Sequence, residues 1–396
     1  MQTVSIRKVR QENIDHAVRQ ALSDLGGLSK FVASGAHVLI KPNLICARDH
    51  TTGSTTNPAV VEAIAHCVRD AGAAEVLIGD GSGVGHDTRR VFQTLKYDEL
   101  ACRCGASLVD LNRDAVEMPC PGGTLLQSIS VSRTALEADV LMNVPVLKTH
   151  TGTVVSLSLK NTKGVLPHSG KRKLHFIGLE QGIVDLNRLV TSHLIVADGT
   201  IGQEGQGPVA GEPVALGLIV AGANRVAVDA TCCRIMGIRP ETVPVMHLAS
   251  EAGLGPMSAK EITLLGETLS RIRRPFVLPR YDFSPCEGVQ LFAGTACSGC
   301  VGQVALALRE LRLSGELESI QKSLGHINVV YGTNAPIPDA GLEGASLYIG
   351  KCQREARDRG SWVPGCPVHL TILEDALRHA AGLPVKNTTW FEVDYE

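Results

Sequence analysis

The order of elements between residues 38 and 81 constrains the fold most. Val38-Leu39-Ile40 is a short apolar run, and a polar loop follows from Lys41 to Asn57. Pro58 opens a helical pattern that sets Val61, Ile64, Ala65 and Val68 on one face and ends near Gly72. Glu75 to Ile78 is the next strand, stopped at Gly79-Asp80-Gly81. Strand, helix and strand in that order make a unit that builds a parallel sheet.

The pattern continues downstream. Val140 to Pro145 echoes Val38 to Asn43, and His193 to Ala197 is a strand ending in Asp198-Gly199, much as Ile78-Gly79 ends in Asp80-Gly81. Two related halves are therefore expected within the larger domain. Leu216 to Val220 adds a strand and Val226 to Met236 a helix. With 4% aromatic residues and 41 glycines, composition favours an α/β protein over an all-β one. The expected fold is a mostly parallel sheet flanked by helices, followed by a small C-terminal α/β domain. The stretch Arg271 to Pro279 is basic, proline-flanked and without periodicity, so the boundary is set there, giving residues 1–275 and 276–396. In the tail, Val301 to Leu313 reads as an amphipathic helix, Ile327 to Tyr331 and Ser346 to Ile349 as strands, and Val368 to Ala381 as a last helix.

Several function classes are disfavoured. No apolar run reaches the length of a membrane span. Met1 to Arg10 alternates apolar and polar residues and carries no signal core, so a cytoplasmic protein is expected. Net charge is −2, and Lys171-Arg172-Lys173 is too short a cluster, with no reading motif beside it, to indicate nucleic-acid binding. The glycines of residues 79–85 miss the dinucleotide fingerprint, and Gly164 to Lys171 misses the phosphate-binding loop.

Twelve cysteines in such a chain point to metal binding or catalysis, because a reducing compartment disfavours disulfides. Cys67, Cys232 and Cys233 lie in apolar helical contexts and read as core residues. Cys297-Ser298-Gly299-Cys300 lets one turn deliver two thiolates. Cys352 follows a strand and a glycine, and Cys366 sits in Gly365-Cys366-Pro367, where a proline after the final ligand is a recurrent iron–sulfur feature. Four thiolates fit a [4Fe–4S] cubane. A structural zinc ion uses the same ligands and competes, unconnected core thiols are the plain alternative, and Cys286 is a substitute ligand. Cys102, Cys104 and Cys120 read as incidental.

A second constellation lies in the larger domain. Lys41-Pro42-Asn43 directly follows a buried strand, where open α/β sheets place ligands, and Asp80 and Asp198 occupy equivalent strand ends. Lys148 and His150 follow the strand at 144–147, and Ser156 to Gly164 adds Lys160, Asn161 and Lys163. Such a pocket suits a small carboxylate or phosphate substrate: Lys41, Asn43, Asp80, Lys160 and Asn161 would bind it, and Lys148, His150 and Asp198 would act on it. Each residue alone also reads as solvated loop polarity or a common turn. Gly199 to Pro208, with Glu204, reads as a flexible lid over this pocket.

The segments IKPNL, NVPVLKTH, SLSLKNTKGVLP, ADGTIGQEGQGP and AGANRVAVDATCCRIMG, in this order over about residues 35 to 255, resemble domain-of-unknown-function family 362. Members are often fused to, or contain, four-iron ferredoxin-type sites. The tail resembles the cluster-binding tail of some members, with Cys297, Cys300, Cys352 and Cys366 at the matching positions. It departs from them at Val368, where a second proline often follows. The expectation is an oxidoreductase using a [4Fe–4S] cluster on a small anionic substrate, with a partner such as ferredoxin. A non-catalytic electron carrier and a non-redox lyase or hydratase are the alternatives.

Overall fold

A computed structural model describes residues 1–279, 288–296, 298–338 and 341–386. The chain divides into two compact units, Met1–Pro279 and Arg280–Glu396. Both are α/β, with helices packed on mostly parallel sheets.

The first unit contains β1 (Gln2–Lys8), β2 (His37–Pro42), β3 (Glu75–Asp80), β4 (Ser107–Asp110), β5 (Ala115–Pro119), β6 (Ser128–Ser132), β7 (Val140–Val144), β8 (Val146–His150), β9 (Val154–Ser156), β10 (Leu194–Glu204), β11 (Glu212–Gly222) and β12 (Ile262–Gly266). The main sheet runs β12-β1-β11-β10-β7-β2-β3-β4, with β8 paired to β10 and to β9. From β10 to β4 every neighbour along this path is parallel. β11 runs against both β10 and β1, and β9 folds back on β8. β5 and β6 form a separate hairpin.

The apolar run of β2 is explained by cover on both faces, as parallel strands require. Val38 and Ile40 enter one core with Val76, Ile78, Val140 and Met142, whereas Leu39 enters the opposite core with Leu141, Ile195 and Val220. The helix Pro58–Asp70 buries Val61, Ile64, Ala65 and Val68, as its periodicity predicts. Asn57 caps it by accepting from the Ala59 N–H, with Pro58 opening the first turn. Cys67, Cys232 and Cys233 are buried in these cores.

One expectation fails. Residues 199–204 are not a lid but the second half of β10, paired with β11 down to Glu204 opposite Glu212. Glu204 is held by both guanidinium nitrogens of Arg274 and by the Val277 N–H. The glycines that suggested mobility serve close approach instead: a Cβ on Gly202 would lie 2.5 Å from the Leu147 carbonyl oxygen.

The second unit has a parallel four-stranded sheet in sequential order: β13 (Val289–Ala293), β14 (Ile327–Tyr331), β15 (Ala345–Ile349) and β16 (Ser361–Val363). The helix Ser298–Leu313 buries Val304, Leu308 and Leu311 against it, together with Leu373 and Leu377 of the helix Leu370–Ala380. No helix among the described residues is long and apolar enough to cross a membrane.

Candidate functional site

Parallel strands deliver their carboxyl ends to one edge, and β2, β3 and β7 bring Lys41, Asp80 and Asn143 there. Lys41 is fully buried, with its Nζ 2.8 Å from Asp80 Oδ1. Asp80 also accepts from the N–H groups of Leu44 and Gly81, at 2.7 and 2.9 Å. Burial pushes the Lys41 amine below its ordinary value while Asp80 pulls it back. Gly164 lies directly over this pair: a Cβ there would stand 2.2 Å from Asp80 Oδ1 and 2.5 Å from Lys41 Nζ. The ion pair is thus sealed under backbone.

Beside it runs a chain of amides. Lys148 Nζ donates to Asn43 Oδ1 and to the Ser54 carbonyl, both at 2.6 Å. Asn43 donates to Asn161 Oδ1, and Asn161 donates to Asn143 Oδ1, each at 2.8 Å. Asn143 in turn donates to the Ser158 carbonyl. Lys148 is fully buried with neutral acceptors only, and burial lowers its amine to about 7. Lys171 is a parallel case: it donates to the carbonyls of Gly81 and Ser82 and to Asn112 Oδ1, and burial likewise lowers it to about 7.

Asp198 is spent. Its two oxygens accept from the Asn57 N–H at 2.7 Å, the Thr200 N–H at 2.9 Å and the Thr200 hydroxyl at 2.7 Å. It therefore ties β10 to the amino end of the helix Pro58–Asp70. Asp229 plays the same part for the short helix Ser158–Asn161, accepting from the N–H groups of Ser158 and Leu159 and from the Ser158 hydroxyl. Burial pushes its carboxyl up to about 6.

Capacity remains at the β8–β9 hairpin. Lys148 and His150, two residues apart on β8, share a strand face. The His150 Nδ1 accepts from the N–H groups of Gly152 and Thr153, at 2.8 and 3.2 Å. Burial first, then Lys160, Lys163, His175 and Lys148, holds the ring well below its ordinary value, so it is neutral. The Lys160 residue is half-buried, and its side chain forms no hydrogen bond or ion pair among the described residues. Burial and Lys163 push its amine down. Lys163 Nζ lies 2.6 Å from His175 Nε2. A lone histidine in the basic helix His168–Ile177 carries no sequence signal of this contact.

In the second unit, Cys300 is buried in the first turn of the helix Ser298–Leu313, where the helix dipole favours negative charge. Cys352 follows β15 and is exposed, and Cys366 is half-buried. Gly350 has φ +89°, and a Cβ on it would stand 3.5 Å from Cys352 Sγ and 3.7 Å from Cys300 Sγ. The Gly365 carbonyl accepts from the Lys351 N–H at 2.9 Å, which brings the segment preceding Cys366 to the same corner. Trp362 Nε1 donates to the Gly350 carbonyl at 3.0 Å and fixes that turn. Cys297 and Cys286 lie outside the described residues.

A third group was not anticipated. Glu62, His66 and Cys104 offer ligand atoms within 4.8 Å of one another. Both Glu62 oxygens, however, accept from Arg103 at 2.9 and 3.0 Å, so the group is arranged around a cation the chain itself supplies.

Fold and strand-end residues together define an α/β protein whose parallel strands end in a lysine- and asparagine-rich edge. Residues 38–234 match the family model of the domain of unknown function DUF362, and the chain belongs to that family. It is 29% identical over 255 residues to the thylakoid-associated protein sll1697 of a Synechocystis species, covering 62% of this chain and 76% of that one. Among solved structures, the lactate racemase apoprotein from Thermoanaerobacterium thermosaccharolyticum aligns with a TM-score of 0.40 at 14% identity, over 60% of this chain. The present chain spans 58% of that racemase chain.

Proposed function

We propose that the protein is an iron–sulfur oxidoreductase: Cys297, Cys300, Cys352 and Cys366 hold a [4Fe–4S] cluster, the edge of the first unit binds a small anionic substrate, and a carrier such as ferredoxin exchanges the electrons. The supporting observation is the corner at Gly350, where the Cys300 and Cys352 sulfurs both approach a position that lacks a side chain. Glycine there leaves room between thiolates arriving from a helix and from a strand end. The chemistry such a cluster supplies is one-electron transfer, at a potential tuned by burial and by hydrogen bonds to sulfur. On the substrate side, Lys160 offers a charge, His150 offers an N–H, and the Lys148–Asn43–Asn161 chain keeps the floor rigid.

Anaerobic purification of the full chain followed by iron, sulfide and zinc analysis tests the proposal. About four irons and four sulfides per chain, with a reducible visible absorption, are expected. One zinc and no iron would overturn it. In serine substitutions at the four cysteines, each position is expected to lose the cluster. A cluster that survives one of them has only three protein thiolates and favours the lyase or hydratase reading.

A further inference from the structure

We infer that the β8–β9 hairpin and the helix Ser158–Asn161 that follows it form an oxyanion site, in which Lys160 of the helix supplies the positive charge and a neutral His150 of the hairpin donates from Nε2, binding a carboxylate or phosphate group of the ligand and moving no proton. The inference deepens the anion-binding half of the proposed function and is independent of the cluster.

The tautomer follows from hydrogen bonding. A ring nitrogen that accepts two backbone N–H groups uses its lone pair to do so, and Nδ1 of His150 accepts from Gly152 and Thr153. The single ring proton is therefore on Nε2. Adding a second proton would set N–H against N–H in the hairpin turn. It would also place a new cation among Lys148, Lys160, Lys163 and His175, the charged or titratable groups that act on the ring. Among the described residues, no carboxylate at this edge is free to offset it. Asp80 is committed to Lys41, Leu44 and Gly81, Asp198 to Asn57 and Thr200, and Asp229 to Ser158 and Leu159. A histidine fixed in this way cannot serve as the general base that its position in the sequence suggests.

Lys160 is the second group of the site. Among the described residues it lacks an acceptor, while its cationic neighbours and partial burial raise the cost of its charge. An oxyanion offsets that cost, and the other groups at this edge have their partners: Lys41 has Asp80, and Lys148 has Asn43 and Ser54. The backbone beside the site is strained as well. Val154, which pairs with His150 across the hairpin, has φ +64°. A β-branched residue pays for that region of conformational space, and such outliers cluster where a loop must hold one geometry.

The test is nitrogen-15 NMR of the imidazoles in the full-length protein, with inorganic phosphate and, separately, acetate titrated in. His150 is expected to stay neutral and protonated on Nε2 between about pH 5 and 8. Its Nε2 resonance should shift saturably with at least one of the two anions, and the one that saturates identifies the ligand's anionic group. Lys160→Met is expected to weaken that binding roughly tenfold or more. His150→Gln, which keeps an N–H donor near the Nε2 position, should retain more binding than His150→Asn, which can replace only the Nδ1 acceptor. Protonation of His150 near pH 6.5, no saturation by either anion, or unchanged binding in Lys160→Met would overturn the inference. A zinc-containing, iron-free preparation that still passes this titration would sink the redox reading alone.

Discussion

Lys41 and Lys160 are lysines at the same edge of the first unit, and their surroundings differ in kind. Lys41 is fully buried, 2.8 Å from a carboxylate, beneath a glycine that admits no side chain. Lys160 is half-buried among other cations and has no acceptor among the described residues. The first lysine is part of the architecture, because its charge is answered from within. No described residue answers the second, and the proposed anion would supply what is missing. Residue type does not separate the two roles; the partner does.

The largest effect is expected at the sealed pair. Lys41→Met leaves the Asp80 charge buried without its cation and is expected to cost about 3–5 kcal/mol, read from urea unfolding of the full chain. A double variant that also replaces Asp80 with asparagine, which removes the charge and keeps one oxygen for the Leu44 or Gly81 N–H, should recover part of the loss. If the single variant costs nothing, Lys41 is not the structural element described. Gly164→Ala tests the seal itself. Its new methyl would meet both partners of the ion pair, and overpacking of this kind costs about 1–3 kcal/mol.

Lys148 stands between the extremes, since it is buried and hydrogen-bonded but has no carboxylate. Its folded value of about 7 lies below the ordinary lysine value of 10.5, so from about pH 7 upward the unfolded chain binds more protons. Stability should therefore rise with pH across that window, by at most about 1.4 kcal/mol per pH unit, and the penalty is fully present below it. Lys148→Met should flatten that part of the slope when thermal unfolding is followed at several pH values; an unchanged slope would show that the amine is not desolvated. The smallest effect belongs to Lys160→Met. Removing an unanswered charge should change stability by less than about 1 kcal/mol, or raise it, in the same unfolding measurement. A large loss would mean that Lys160 is structural after all.

Much of this was legible before folding. The strand–helix–strand unit, the face of the helix Pro58–Asp70 and the placement of Lys41 and Asp80 at strand ends follow from local pattern. The cysteine spacing also singled out Cys300 and Cys352, whose sulfurs approach one glycine. What pattern could not supply was the spending of polar groups across long separations. Asp229 reaches Ser158 over 71 residues, and Asn43 reaches Asn161 over 118. His150 looked like a proton carrier because a sequence does not reveal that two backbone N–H groups occupy its Nδ1. Residues 199–204 looked mobile because glycine marks both loops and tight backbone contact, and only the neighbouring strand tells which.

The tie from Asp198 to the backbone of Asn57 spans 141 residues. A ribosome adding about 5–20 residues per second takes roughly 7–28 s to cover that distance. Throughout that interval the emerging amino-terminal crossover has its strands and helix available but not the carboxylate that anchors the helix start. The order of synthesis thus leaves the first-made part of the sheet dependent on one of the later strands, and a nascent chain halted before residue 198 carries that unfinished joint with it.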